Sequence, residues 1–320
     1  MPNPIRVFAE PAWLDRVAAA CRTAPRHSLT VPGPDSRRIG VPVVQDRFRL
    51  PGGEQLMGWR VGAVHYTDYL DFRDLETFGE QGLRGLLDAA REASCAFVLF
   101  SHVPRSGSLG GLLHSAARRG KGFHTLACQP ALGVDATMGS DAWWESRGRE
   151  SRRRLDRYRR KALEAGGVFA IEPATEEILE TLLDLQNRRS EQAGLDSFAA
   201  MPDFAALIRS LAGTGIARVA TLRLNGECAG ILLLLADEDA VGIYAQAFAP
   251  RWHRLSPGTA LFVFVIEDAF RRGLRYVDFL RGDEPYKRHM ATTTVVMDKH
   301  LWLAPDAPPD ALTFFEGLIE

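Results

Sequence analysis

The residues best suited to chemistry lie between Tyr244 and Met290, and the first of them are Ser256-Pro257-Gly258-Thr259, at the head of an apolar run that continues to about Arg272. Serine as N-cap and proline as first helical residue start a helix. The first N–H groups of such a helix have no intrahelical acceptor, and the helix dipole favours negative charge beside them. Gly258 has no Cβ, so an anion such as a pyrophosphate can approach the backbone, and Arg251, His253 and Arg254 lie just upstream with positive charge. A capped core helix with no ligand uses the same residues, and their spacing does not separate the two readings.

The elements around this helix position it. An apolar run from Val241 to Phe248 ends at Pro250. After the helix, Gly273 is placed for a left-handed C-terminal cap, and Leu274–Leu280 reads as a strand. Strand, loop, helix and strand make a βαβ unit with the anion-binding turn at the helix N-terminus.

The string Ser256-Pro257-Gly258-Thr259-Ala260, with Glu267-Asp268-Ala269, Gly273, Asp278-Phe279, Arg281-Gly282-Asp283-Glu284 and Tyr286-Lys287-Arg288, resembles the C-terminal signature of the CelD/BcsL-type acyltransferases. These belong to the GNAT superfamily of N-acyltransferases, whose relatives include aminoacyl-tRNA-dependent transferases built from two GNAT folds. A looser similarity reaches back to Ser151-Arg152-Arg153-Arg154. The sequence departs from the general GNAT pyrophosphate pattern at one place: Leu255 stands at the Gln/Arg position, and Arg254 comes one residue early.

The resemblance implies an α/β chain of two tandem GNAT-like domains, each a central mixed β-sheet flanked by helices. The expected division is a degenerate, non-catalytic domain over residues 1–145, which shapes the acceptor cleft, and a donor-binding domain over 146–320. The implied donor is acyl-CoA or acetyl-CoA, with aminoacyl-tRNA as the alternative, and the implied acceptor is an amine on a small molecule or peptide. Ser256, Gly258, Thr259, Ala260, Arg254 and Lys287 are then the donor-binding candidates. In a GNAT fold the strands around the helix splay apart at the acyl group, so backbone N–H groups from Gln246 to Phe248 are the oxyanion donors. Asp278 is the candidate to orient or deprotonate the amine, and Tyr286 the candidate to protonate the leaving group. Asp278 reads equally well as a buried carboxylate satisfied by neighbouring N–H groups or an arginine.

Periodicity and turn signals reach the same element order independently. In the C-terminal half they give a strand at Gly167–Glu172 and helices at Glu176–Gln192 and Asp203–Leu211. Strands at Ile216–Leu224 and Glu227–Leu235 follow, joined by the hairpin signal Asn225-Gly226, and then Ala240–Phe248, the central helix, Leu274–Leu280 and a last strand at Thr293–Leu303. In the N-terminal half, a helix at Pro11–Cys21 precedes a connector containing Pro25, Pro32 and Pro34. β-like runs flank Pro51-Gly52-Gly53, and Asp68, Tyr69 and Asp71 precede a helix at Leu75–Ala93. Strand Cys95–Phe100, helix Leu109–Arg119 and strand Gly122–Cys128 complete it. Leu83–Ala90 followed by Ala96–Phe100 repeats the pattern of Ile266–Phe270 followed by Tyr276–Leu280, without a Ser-Pro-Gly-Thr opening.

Between the halves, Arg147–Lys161 holds nine basic residues against Glu150 and Asp156. It reads either as a solvated helix with Leu155, Tyr158, Ala162 and Leu163 on its buried stripe, or as a surface for a polyphosphate or tRNA. The whole chain of 320 residues has a formal net charge of −1, which does not indicate bulk attraction to nucleic acid or anionic membranes and leaves a local patch open. No signal segment or membrane span is expected, so the expected location is the cytoplasm. Cys21, Cys95, Cys128 and Cys228 are scattered, as buried thiols are. The eight histidines form no two-His helix motif, so no metal is expected. Gly213-Thr214-Gly215 fails as a dinucleotide fingerprint because Arg218 holds the third glycine's place, and Ser106-Gly107-Ser108 is no nucleophile elbow.

Overall fold

The computed structural model describes residues 7–9, 11–20, 26–33, 37–62, 66–70, 75–194 and 197–318. Its first elements are α1 (Pro11–Ala20), β1 (Arg26–Pro32), β2 (Arg38–Arg49), β3 (Gln55–Val61), α2 (Leu75–Glu92), β4 (Phe97–Pro104), α3 (Ser108–Arg118) and β5 (Phe123–Ala127). Then come β6 (Ala131–Asp135), α4 (Ser140–Ser146), α5 (Arg149–Glu164), β7 (Val168–Pro173), α6 (Glu176–Ala193), α7 (Pro202–Ser210), β8 (Ala217–Leu224), β9 (Glu227–Ala236) and β10 (Ala240–Phe248). The chain closes with α8 (Pro257–Arg272), β11 (Tyr276–Arg281), α9 (Pro285–Arg288), β12 (Thr293–Val295), β13 (Met297–Leu303) and α10 (Ala311–Gly317).

The fold is α/β, with two mixed sheets in two compact units. A six-stranded sheet runs β1-β2-β3-β4-β13-β5 and a seven-stranded sheet β12-β6-β11-β10-β9-β8-β7. One unit comprises residues 131–294, and the other residues 8–130 with 295–320. The division therefore differs from the expected one at 145/146. β6 pairs antiparallel with β11, from Tyr276↔Asp135 to Arg281↔Ala131, which carries residues 131–145 into the later unit. The strand expected over Thr293–Leu303 breaks at Val296: β12 joins the seven-stranded sheet, and β13 lies between β4 and β5. These partners lie more than a hundred residues away in sequence, where local periodicity carries no information.

The expected internal repetition is present in the backbone. β3 pairs parallel with β4 over Gly58–Arg60 and Phe97–Leu99 with α2 as the crossover, just as β10 pairs parallel with β11 around α8. The helix expected over Leu75–Ala93 is interrupted at Gly79 (φ 47°, ψ −166°). β1 occupies residues expected in a proline-rich connector; Pro32 ends the strand, and Pro25 and Pro34 lie outside the described residues, as do Asp71 and Cys21. Asn225 and Gly226 (φ 52° and 80°) form the two-residue turn between β8 and β9.

The core of the 131–294 unit gathers around α8, with Ala260, Leu261, Phe262, Val263, Val265 and Ile266 all buried. α5 lays Leu155 and Ala162 against this core, whereas Leu163, expected on the same stripe, is 48 % exposed. Burial raises the Cys95 thiol to about 11 and also raises that of Cys228, so neither is a ready nucleophile. Among the described residues no helix is long and apolar enough to cross a membrane.

Candidate active site

β10 and β11 are parallel neighbours for only three residue pairs, ending at Gly242↔Asp278. Beyond this point β10 bulges between Ile243 and Ala245 and remains paired with β9 alone. Its free edge is therefore turned toward an opening between the two strands. Ala249 N–H donates to Ala229 C=O on β9 at 3.0 Å, so the alternation of a strand turns the N–H groups of Phe248 and Gln246 the other way, into the opening. The Gln246 carbonyl, on that same edge, accepts Gln186 Nε2 of α6 at 3.2 Å.

α8 starts beside this edge. A Cβ built on Gly258 would lie 3.6 Å from Gln246 Oε1 and 3.9 Å from Phe248 Cδ1, which places the first turn of α8 against the residues of the opening. Ser256 does not cap the helix as expected. It sits in the left-handed region (φ 49°, ψ 56°), and its side chain makes no capping hydrogen bond. A serine in that conformation is backbone strain of the kind that clusters at ligand sites. Ala260 N–H donates to Ser256 C=O at 3.1 Å and its side chain is fully buried, so Ala260 is spent within the fold, contrary to expectation. The N–H groups of Gly258 and Thr259, in the first turn, have no intrahelical acceptor. Arg254 is exposed on the short turn Pro250–Leu255 that leads into the helix, and Arg251 there pairs with Glu227.

Tyr286, on α9, closes the other side of the site. Gln246 Nε2 donates to its hydroxyl oxygen at 2.7 Å, which leaves the phenolic proton to be given elsewhere. Its ring packs edge-on against Phe262 at 5.4 Å. Burial, with the Glu284 charge assisting, pushes the phenol up to about 12, so it is protonated at neutral pH. Arg189 of α6 lies over the Phe248 ring at 4.8 Å, and its charge also reaches Tyr286.

Asp278 is brought to the end of the paired segment but is fully buried. Its Oδ1 accepts Leu280 N–H at 2.8 Å, across a register shift in the pairing of β11 with β6, and Leu280 itself is left-handed (φ 59°). The carboxylate therefore ties down an irregular strand, the second of the two readings that its sequence position allows. Asp278→Ala should cost about 1.5–3 kcal/mol, the range for a buried hydrogen bond to a charged group, read as a lower denaturation midpoint. Asp278→Asn keeps an acceptor oxygen and should retain most of that stability.

Lys287 also differs from its expected place beside phosphate. It is buried, and its Nζ donates to Arg281 C=O at 2.5 Å and pairs with Glu284 at 3.0 Å, so it braces the loop from β11 into α9.

Sequence reasoning missed Gln186. It stands seven residues after Leu179 on the buried stripe of α6, where an apolar residue belongs, and that mismatch was a readable signal. Its Oε1 is buried with no hydrogen-bond partner among the described residues. Native proteins rarely leave such an oxygen unsatisfied, and it offers an acceptor for an N–H group.

Comparison with known proteins agrees with this geometry. The acetyltransferase (GNAT) domain family matches residues 149–288. FemX superposes with a TM-score of 0.61 at 13% identity, over 93% of this chain and 92% of that one. The C-terminal DUF2156 domain assigned to a lysylphosphatidylglycerol synthetase from Agrobacterium fabrum gives 0.60 at 15% identity, over 94% and 90%. L-PGS from Bacillus licheniformis gives 0.56 at 12% identity, over 98% and 96%. No curated protein sequence matches the chain. Residues 149–288 thus carry an acetyltransferase (GNAT) domain, and the two mixed sheets share the fold of these structures.

Proposed function

We propose that the protein is an N-acyltransferase that moves an acyl group from acyl-CoA, acetyl-CoA included, to an amine on a small molecule or peptide, and that the reaction takes place in the unit of residues 131–294. One observation carries this reading: β10 and β11 part after Gly242 and Asp278, and Gln246 and Phe248, on the stretch of β10 beyond that point, lie against the first turn of α8, which has no side-chain cap. Phosphate oxygens of the donor accept from the N–H groups of Gly258 and Thr259, with Arg254 as the nearby cation. The acyl chain then lies in the opening, its carbonyl oxygen against the N–H groups of Gln246 or Phe248.

The amine nitrogen attacks the thioester carbonyl, and a C–N bond forms while the negative charge collects on oxygen. When the C–S bond breaks, the Tyr286 proton passes to the leaving thiolate. The attacking nitrogen loses its own proton to water, directly or through the exposed carboxylate of Glu284, which also pairs with Lys287. Gln186 Oε1 is the acceptor that orients the amine. A CoA-dependent reaction also fits a cytoplasmic protein, which is the location we propose.

A second reading, transfer from aminoacyl-tRNA, is favoured by α5. Arg159 pairs with Glu267, Arg160 with Asp156 and Glu164, and Arg147 donates to the Ala291 carbonyl, yet Arg149, Arg152, Arg153, Arg157 and Lys161 are all exposed. The resemblance to two-fold GNAT transferases extends to enzymes with that donor. The salt dependence of donor use separates the readings. If five such residues contact tRNA phosphates, donor affinity falls about 10²–10³-fold between about 50 and about 200 mM salt. With acyl-CoA held mainly by α8, we expect a much weaker dependence, and little effect of changing Arg149, Arg152, Arg153 and Arg157 to Gln. A steep slope that those changes abolish would favour tRNA.

A further inference from the structure

The six-stranded sheet carries a group of side chains that acyl transfer leaves unused. Asp298 and His300 lie two residues apart on β13, so they leave the same face of the strand, and α3 brings His114 against them. His114 Nε2 lies 2.9 Å from Asp298 Oδ2, and the two imidazole rings meet edge to face with centroids 4.8 Å apart. One ligand atom from each of the three residues lies within 4.8 Å of those of the other two. Asp298 and His300 are 1 % and 0 % exposed.

His300 is the informative member. Its Nδ1 lies 3.2 Å from Thr125 Oγ1, whereas Nε2 is buried with no hydrogen-bond partner among the described residues. With the Thr125 hydroxyl accepting from Nδ1–H, the lone pair stands on Nε2, where no protein donor meets it. Arg105 opposes a cation here: its Nε and Nη2 donate to the two Asp298 oxygens at 2.8 and 2.7 Å. Its side chain is 56 % exposed, however, and can turn into solvent without breaking the core.

We propose that His114, Asp298 and His300 form a binding site for a zinc-like divalent cation, with Arg105 as the competitor for Asp298. Two imidazoles and one carboxylate are the ligand set of open zinc sites, which leave a fourth position to water. Thr125 supplies the outer hydrogen bond that fixes the tautomer and orientation of His300. The two nitrogen ligands select against calcium and magnesium, which take oxygen. His114 and Asp298 are 184 residues apart, so the group has no sequence signature.

The test is calorimetric titration of untagged, chelator-treated full chain with Zn²⁺, with Co²⁺ as the spectroscopic probe. We expect one saturable equivalent and strong visible absorption from the cobalt form. Arg105→Ala should bind about tenfold more tightly, since Asp298 is no longer shared. His114→Gln and His300→Gln should lose binding while melting cooperatively. Absence of stoichiometric binding in both the wild type and Arg105→Ala would overturn the site, as would unchanged binding in the two folded histidine variants. Equal or weaker binding by Arg105→Ala would overturn the competition.

Discussion

Gly258→Glu should weaken donor binding by roughly 10²–10⁴-fold and leave the protein folded. Gly258 is the second helical residue of α8, and the Cβ it would gain meets its neighbours at ordinary contact distances of 3.6 and 3.9 Å. A carboxylate in the first turn suits the helix dipole, so helix stability should hold or rise slightly. The same carboxylate should fill the space in which we place the donor phosphate. Losing two bonds to a charged group, at about 1.5–3 kcal/mol each, corresponds to a loss of roughly 10²–10⁴-fold in affinity. Calorimetry with CoA on a variant of unchanged melting temperature reads this directly. Wild-type affinity in that variant would remove α8 from the donor site.

Tyr286→Phe should lower kcat by about 10²-fold, the lower end of the range for a positioned general acid, with little change in donor KM. The hydroxyl is the only atom removed, and the ring keeps its packing on Phe262. Gln246 Nε2 loses its acceptor, a smaller and local cost. The pH profile gives a second reading. The phenol is raised from its ordinary 10 to about 12, so the proton is present through the neutral and mildly alkaline range. Any loss of rate due to Tyr286 ionisation should therefore begin only above pH ~10. A variant with wild-type kcat would show that the leaving group is protonated by another donor.

The parts of this site that the sequence displayed are those fixed by local rules. The glycine after Arg272 (φ 69°), the proline at the first position of α8 and the Asn225-Gly226 turn each answer a short-range conformational demand, and each stands where expected. The left-handed Ser256 was not legible, because a serine before Pro-Gly fits a normal N-cap equally well. Ala260 and Lys287 matched a motif, but a motif does not state which hydrogen bonds the backbone will claim first. Asp278 illustrates the same limit: its two readings were separated only by the bulge in β11, which depends on β6 nearly 150 residues earlier. The unit boundary failed for that reason too, since β6 and β13 take partners far away in sequence.

We take the opening between β10 and β11 to receive its acyl group from CoA. The most direct measurement is single-donor turnover: purified acyl-CoA as the only donor, a panel of small-molecule and peptide amines, and parallel reactions with and without ribonuclease. We expect release of free CoA thiol in step with amide formation, unaffected by ribonuclease and lost in Gly258→Glu. Transfer that requires aminoacyl-tRNA, is destroyed by ribonuclease and proceeds with no acyl-CoA consumed would contradict it.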